Sequence, residues 1–255
     1  MANEALFPDG AAVVIGGSGG IGRAVCEGLL EVGCDIAFTY RSNREAAEQV
    51  VASAKALGRR AHAAPLDLTD RAGTSEFVES VATTFGKIHT LVLATGADIS
   101  MTYTADIDPE EWDRTLAADL TGTFNVMRAT LPHLRQGGGS VIAMTSAGLK
   151  RHPQQDILSV VPKAGVEALV RGIAREEGRY GIRANAIALG VIDTGLFHRL
   201  TERLTPQFVE AMRSNTALRR FGTAREAADL AIFLASTKAT FITGQSIALD
   251  GGFSV

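Results

Sequence analysis

Seven short apolar runs, each set apart from the next by a stretch long enough for a helix, constrain this chain most. The runs are AAVVI (11–15), DIAFTY (35–40), AHAAPL (61–66), TLVLA (90–94), SVIAM (140–144), RANAIAL (183–189) and QSIAL (245–249). Near-continuous apolar runs of strand length suit strands buried on both faces, the condition of a parallel sheet. The segments between most of them predict helices over about 20–32, 43–57, 71–85, 109–134, 157–179 and 224–235. In the first, Ile21, Val25, Leu29 and Val32 share a face. Asp108 before Pro109, with Glu111 three residues on, reads as an N-cap with a proline in the first turn. Strand–helix alternation along the whole length predicts an α/β fold, a doubly wound parallel sheet in three layers, α/β/α. No repeat, low-complexity tract or Pro/Ser linker divides it, so 1–255 is expected to be a single domain. The region 195–222 carries no strand pattern; Leu196, Phe197, Leu200, Leu204, Phe208 and Met212 make it amphipathic, as in a substrate loop or lid.

Composition bounds the function. With 46% apolar and 21% charged residues the chain can bury a sizeable core. A net charge of −3 with scattered basic residues argues against nucleic acid or an anionic membrane as partner. Two cysteines, Cys26 and Cys34, are too few for a disulfide framework and read as reduced buried thiols. The polar start MANEALFPDG is not a signal peptide, and no apolar run reaches membrane-spanning length, so a soluble cytoplasmic protein is expected. His62, His89, His133 and His198 make no ligand spacing with one another or with the cysteines, and no metal is expected.

The first run ends in Gly16-Gly17-Ser18-Gly19-Gly20-Ile21-Gly22 and opens a helix. Glycine serves there because the turn needs backbone angles closed to other residues and because a pyrophosphate must approach the main chain. The helix start adds free N–H groups and partial positive charge. This placement predicts a dinucleotide site. The spacing Gly16-x-x-x-Gly20-x-Gly22 resembles that of the short-chain dehydrogenase/reductase superfamily, and other stretches agree: PLDLTD (65–70), GIRANAIALGVIDTGL (181–196) and RRFGTAREAADLAIFLASTKATFITGQSIALDGG (219–252), the last resembling the 3-ketoacyl-carrier-protein reductase branch. The resemblance implies a Rossmann fold. It also implies cofactor contacts from Gly16, Ser18, Gly19, Gly20, Ile21 and Gly22, from Asp67 and Leu68, from Thr95 and Gly96, from Lys163, and from Gly190, Ile192 and Thr194.

The end of the second strand chooses between the ribose hydroxyl and its 2′-phosphate. Tyr40 stands where an NAD-preferring relative has aspartate, and Arg41 and Ser42 follow. A guanidinium can grip a phosphate through paired charged hydrogen bonds, so NADP(H) is the expected cofactor.

In the family a tyrosine exchanges the proton, a lysine four residues later lowers its pKa and holds the ribose, a serine polarises the carbonyl and an asparagine orders a water relay. Here Ser146 falls at the serine position and Lys163 at the lysine position. Ser159 stands where the tyrosine would be, Asp119 replaces the asparagine, and LATG (93–96) stands where NNAG is usual. Ile15 replaces a threonine and Leu189 a proline. Three accounts compete. A Tyr-to-Ser change at 159 silences an ordinary reductase. Or the natural protein uses another acid: Asp119 with Lys163 and no tyrosine resembles some dienoyl-thioester reductases. Or the protein binds NADP(H) and catalyses little. Tyr103 and His152 lie in loops at the carboxyl edge of the sheet, within reach of a substrate, whereas Tyr180 at a helix end reads as structural. Pro162 is harmless if its helix starts near Ser159 and kinks it if the start is several residues earlier. The expected substrate is a small, largely apolar carbonyl or conjugated carbonyl. The resemblance implies a homotetramer or homodimer paired through the helices at about 109–134 and 157–179 and the last strand.

Overall fold

The computed structural model describes residues 5–255; the expectation for residues 1–4, within the polar N-terminus, lies outside it. Regular structure begins with β1 (Ala11–Ile15), in which every residue is buried. Its side chains alternate between two cores, Ala11, Val13 and Ile15 to one side and Ala12 and Val14 to the other, which is why the run shows no polar face. The other strands are β2 (Asp35–Tyr40), β3 (Ala61–Pro65), β4 (Ile88–Leu93), β5 (Gly139–Ser146), β6 (Ile182–Leu189) and β7 (Ser246–Leu249). All pair in parallel, in the order β3-β2-β1-β4-β5-β6-β7. The expected seven runs are therefore seven strands, with ends shifted by a residue or two.

The helices are α1 (Gly20–Glu31), α2 (Arg44–Ala56), α3 (Arg71–Phe85), α4 (Pro109–Leu116), α5 (Gly122–Leu134), α6 (Ile157–Glu177), α7 (Gly195–Thr201), α8 (Pro206–Ser214) and α9 (Ala224–Ala235). On one face of the sheet Phe77 and Val81 of α3, Val126 and Met127 of α5 and Val166 and Val170 of α6 close a core. On the other, Val25 and Leu29 of α1, Val50 of α2 and Leu234 of α9 pack with Phe38 of β2. Each such fully buried side chain contributes about 1.5–3 kcal/mol.

The structure revises two local expectations and settles a point that the sequence left open. The segment 109–134 is not one regular helix: a π turn at Ala117–Thr121 separates α4 from α5, and the Gly122 N–H reaches back five residues to the Ala117 carbonyl. The extra residue turns Asp119 into the protein, where it is buried. Asp108 does cap α4, its carboxylate accepting from the Glu110 N–H at 3.0 Å, but Glu111 closes no capping box. Its carboxylate instead accepts from the Ser100 N–H and hydroxyl, both at 2.7 Å, and ties down the loop after β4. Third, α6 begins at Ile157, so Pro162 lies in its second turn, where the missing N–H leaves the Leu158 carbonyl without its helical donor. The region 195–222 forms α7 and α8, and its one strand-like contact is a bridge between Ile192 and Gly222.

Cys26 and Cys34 are unpaired and buried, and burial is the chief cause raising both thiols, Cys34 to about 12. Among the described residues no helix is long and apolar enough to cross a membrane.

Candidate active site

The strand order turns back on itself between β1 and β4, the place where a doubly wound sheet opens a crevice at the carboxyl ends of its strands. The glycine loop fills its floor. Gly16 sits at φ +85, a conformation costly to any side chain, and donates its N–H to Thr39 Oγ1 at 3.2 Å. A Cβ on Gly22 would lie 2.2 Å from the Gly16 carbonyl oxygen, so helix and strand approach as closely as they do only because position 22 has no side chain. Gly19 caps α1 with extended backbone, and the N–H groups of Gly20, Ile21 and Gly22 in the first turn have no helical acceptor. Ser18 is half-buried beside them. Thr194 closes over this loop: a Cβ on Gly20 would meet its Oγ1 at 1.9 Å. The strand behind Thr194 is anchored by Gly190, whose N–H donates to the Leu249 carbonyl at 3.0 Å, and by buried Ile192.

At the end of β2, Arg41 and Ser42 are exposed, and among the described residues Arg41 makes no hydrogen bond or ion pair. Asp67 stands nearby. Hydrogen bonds from the Thr69 N–H (2.9 Å) and hydroxyl (2.8 Å), with the Arg41 charge adding to them, hold its carboxyl below the usual range. Leu68 packs under α5, its carbonyl accepting from Asn125 Nδ2 at 3.3 Å.

The exit of β4 gathers a polar cluster. Lys163 Nζ donates to the Thr95 carbonyl at 2.8 Å and lies 4.0 Å from Asp119 Oδ2, which accepts from the Ala97 N–H at 3.1 Å. Thr95 also abuts the glycine loop, its Cγ2 being 2.9 Å from where a Gly16 Cβ would stand. Gly96 is exposed at the mouth, under Leu196 of α7. The end of α7 is tied to the same mouth by Arg199 and Arg203, which reach Asp98 at 3.5 and 3.4 Å.

Ser146 ends β5, and its Oγ accepts from the Gly148 N–H at 3.0 Å. Ser159 lies in the first turn of α6, half-buried, with its N–H on the Asp156 carbonyl at 3.1 Å. Lys163 follows one turn later, so the two side chains share a face of α6. Ser146 of β5, Ser159 and Lys163 of α6 and Asp119 of the π turn thus come from three elements that meet at the carboxyl edge. Tyr103 and His152 come to the same edge, where they line a cavity of about 220 Å³ with Thr104, Asp156 and Val160.

Asp156 is the residue that sequence reasoning passed over. Burial pushes its carboxyl up to about 6. Nothing in its surroundings along the chain marks it; only its place three residues before Ser159 could have drawn attention. The histidines behave as expected of loop or core residues. His198 pairs with Asp193 at 2.9 Å, and His89, beside Thr90 Oγ1 at 2.9 Å, is lowered to about 4 by burial. Among the described residues no three metal-ligating side chains cluster. Tyr180 packs under the guanidinium groups of Arg135 and Arg179, a structural role.

A parallel sheet with this strand order, a glycine turn opening α1 at its switch point and a lysine at the β4 exit define a dinucleotide-binding protein of the doubly wound class. The loop fits such a group: amides without helical acceptors face the crevice, and the side-chain-free approach at Gly22 leaves the main chain open to a pyrophosphate. A family described as Enoyl-(Acyl carrier protein) reductase matches residues 16–254. The 3-oxoacyl-[acyl-carrier-protein] reductase FabG of Staphylococcus epidermidis is 35% identical over 94% of this chain and 97% of its own length. The L-rhamnose 1-dehydrogenase (NAD(P)(+)) of a Sphingomonas species is 32% identical over 95% of each chain. A short-chain dehydrogenase from Burkholderia cenocepacia, solved in complex with NADP, superposes with a TM-score of 0.89 at 30% identity, covering 99% of this chain and 100% of its own. The chain belongs to the short-chain dehydrogenase/reductase family of oxidoreductases.

Proposed function

We propose that this protein is an NADP(H)-dependent oxidoreductase of a carbonyl or conjugated carbonyl substrate whose proton chemistry runs without the usual tyrosine. The cluster of Lys163, Thr95 and Asp119 beside the glycine loop carries this reading. Gly16, Ser18, Gly19, Gly20, Ile21 and Gly22 cradle the pyrophosphate, Asp67 and Leu68 flank the adenine, and Thr95, Gly96, Gly190, Ile192 and Thr194 enclose the nicotinamide end. The free guanidinium of Arg41, with Ser42, takes the 2′-phosphate, and the NADP complex of the Burkholderia relative supports that choice. When bound, the dinucleotide supplies or accepts a hydride.

The remaining work falls to this chain's side chains. Lys163, fixed by the Thr95 carbonyl, orients the ribose. Asp119 hands protons to the lysine side of the site, and Ser146 donates a hydrogen bond to the substrate oxygen. Ser159 positions a water in the space that a phenol would fill. The region 195–222 is the wall over the substrate. A groove of about 770 Å³ along the outer faces of α5 and α6, with exposed Phe124 beside Leu131 and Leu169, supports a homotetramer in which a second copy covers it. The cytoplasm suits two reduced buried thiols.

The test is NADPH fluorescence on binding, then NADPH oxidation over a panel of ketones and enones. Tight binding with turnover is expected, and Asp119→Ala is expected to lose more of that turnover than Ser159→Ala. Equal and negligible losses overturn the assignment of Asp119; no affinity for NADPH or NADP overturns the function. A large gain in ketone reduction by Ser159→Tyr would favour a silenced reductase.

A further inference from the structure

We propose that Asp156 is the acid that gives its proton to the substrate oxygen. The inference rests on the oxidoreductase reading above and supplies the group that reading lacks.

Four observations converge on it. Asp156 is the N-cap of α6, where an aspartate ordinarily accepts from a first-turn N–H, yet its carboxylate caps nothing. Only its backbone carbonyl serves the helix, accepting from the N–H groups of Ser159 at 3.1 Å and Val160 at 3.0 Å. Among the described residues its side chain makes no hydrogen bond or ion pair, and it lines the cavity of about 220 Å³ with Tyr103, His152 and Val160. That cavity adjoins Ser146: Val160 Cγ2, Pro153 Cδ and Ser146 Oγ lie 3.1, 3.2 and 3.0 Å from the one point where a Gly148 Cβ would stand. A small carbonyl compound held by Ser146 would therefore sit beside Val160 and Pro153, two residues of the cavity that Asp156 also lines. Finally, Gln155, immediately before Asp156, is held at φ +63, uncommon for a residue with a side chain.

The chemistry is consistent. Burial keeps the carboxyl protonated up to about pH 6, where an ordinary aspartate is ionised. The other titratable side chains facing the cavity are Tyr103, from the loop after β4, and His152, from the loop after β5. In reduction the carbonyl carbon gains a hydride from the reduced nicotinamide, the C=O π pair moves to oxygen, and that oxygen takes the carboxyl proton as the Asp156 O–H bond breaks. The products are an alcohol, the oxidised nicotinamide and the Asp156 carboxylate, which solvent reprotonates. Asp119, held by Ala97 and Lys163, keeps its part on the cofactor side.

The experiment uses the full chain, NADPH, and a panel of acetoacetyl-CoA, diacetyl and a ketose. Asp156→Asn should bind NADPH as the wild type does and reduce the best panel substrate about 10²- to 10³-fold more slowly. The wild-type kcat/KM should fall above about pH 6 with the loss of one proton, and the variant should lack that limb. Independently of turnover, infrared titration should show a carboxyl C=O band that disappears near the same pH and is missing in Asp156→Asn. A variant that keeps the wild-type rate and pH limb, or a wild type without that band, overturns the inference and leaves the oxidoreductase reading standing. Wild type that neither binds NADPH nor turns over any panel compound overturns both.

Discussion

Replacing Asp156 by asparagine should stabilise the folded protein at neutral and alkaline pH and do little in acid. The carboxyl stands at about 6 in the folded chain against an ordinary value of 3.8. Its folded pKa is raised, so between the two values the folded state keeps a proton that the unfolded state has already released. Stability then falls as pH rises through that window, and above about pH 6 the full cost is present. At about 1.4 kcal/mol per pH unit the gap corresponds to about 3 kcal/mol, a ceiling that local relaxation and water will lower to about 2. Asparagine carries no charge to desolvate and keeps the shape, so it removes the cost. For a chain of this size, about 2 kcal/mol is a rise in Tm of about 4–8 °C. Differential scanning calorimetry of both proteins at about pH 8 and about pH 4.5 measures it, and the comparison between variants cancels every other titrating group. A Tm difference that is the same at both pH values, or a variant less stable at pH 8, refutes the placement of a half-buried, unpaired carboxyl at position 156.

Other perturbations test the cofactor end and the surface. Gly22→Ala should abolish NADPH binding, followed by fluorescence, because its Cβ would stand 2.2 Å from the Gly16 oxygen and force the glycine loop open; retained affinity would show that the loop yields. Arg41→Asp should weaken NADPH binding by at least about 10- to 100-fold while sparing NADH, since a charge-assisted hydrogen bond contributes about 1.5–3 kcal/mol and the aspartate adds repulsion. Unchanged NADPH affinity in calorimetry would remove Arg41 from the site. Phe124→Arg, in the groove on α5 and α6, should shift the protein to smaller species in analytical ultracentrifugation, and an unaltered profile would rule that groove out as the subunit contact.

The sheet was legible because burial on both faces leaves a compositional mark: all six residues of β4 are buried, and the run TLVLA announces most of them. The glycine loop was legible for a related reason, since the approach of Gly22 to Gly16 admits no other residue type. Asp119 was legible by position, but the π turn that carries it was not. Leu116 through Thr121 have ordinary helical propensities, and the turn to i+5 bonding comes with tertiary partners, Ala97 and Lys163, far away in sequence. Glu111 misled for a similar reason, because the spacing of a capping box says nothing about a competing Ser100. The amphipathic pattern of 195–222 gave two helices, but the link from Arg199 and Arg203 to Asp98 spans about a hundred residues and has no local signature.

The two carboxyls of the site divide by environment, which composition cannot express. Asp119 meets a backbone N–H at 3.1 Å and a lysine ammonium at 4.0 Å, partners that hold its side chain in place. Asp156 meets neither, and burial raises its carboxyl, so the neutral form is favoured there. In the proposed reading the two have separate tasks, Asp119 beside Lys163 at the cofactor end and Asp156 as the acid at the substrate. A tyrosine at position 159 would supply that proton only with a cation beside it to lower a pKa near 10. With Ser159 in its place, Lys163 is released from that duty and its ammonium is free to serve the ribose and Asp119. The loss of the phenol and the appearance of a half-buried acid three residues earlier are, on this view, one change in the site rather than two.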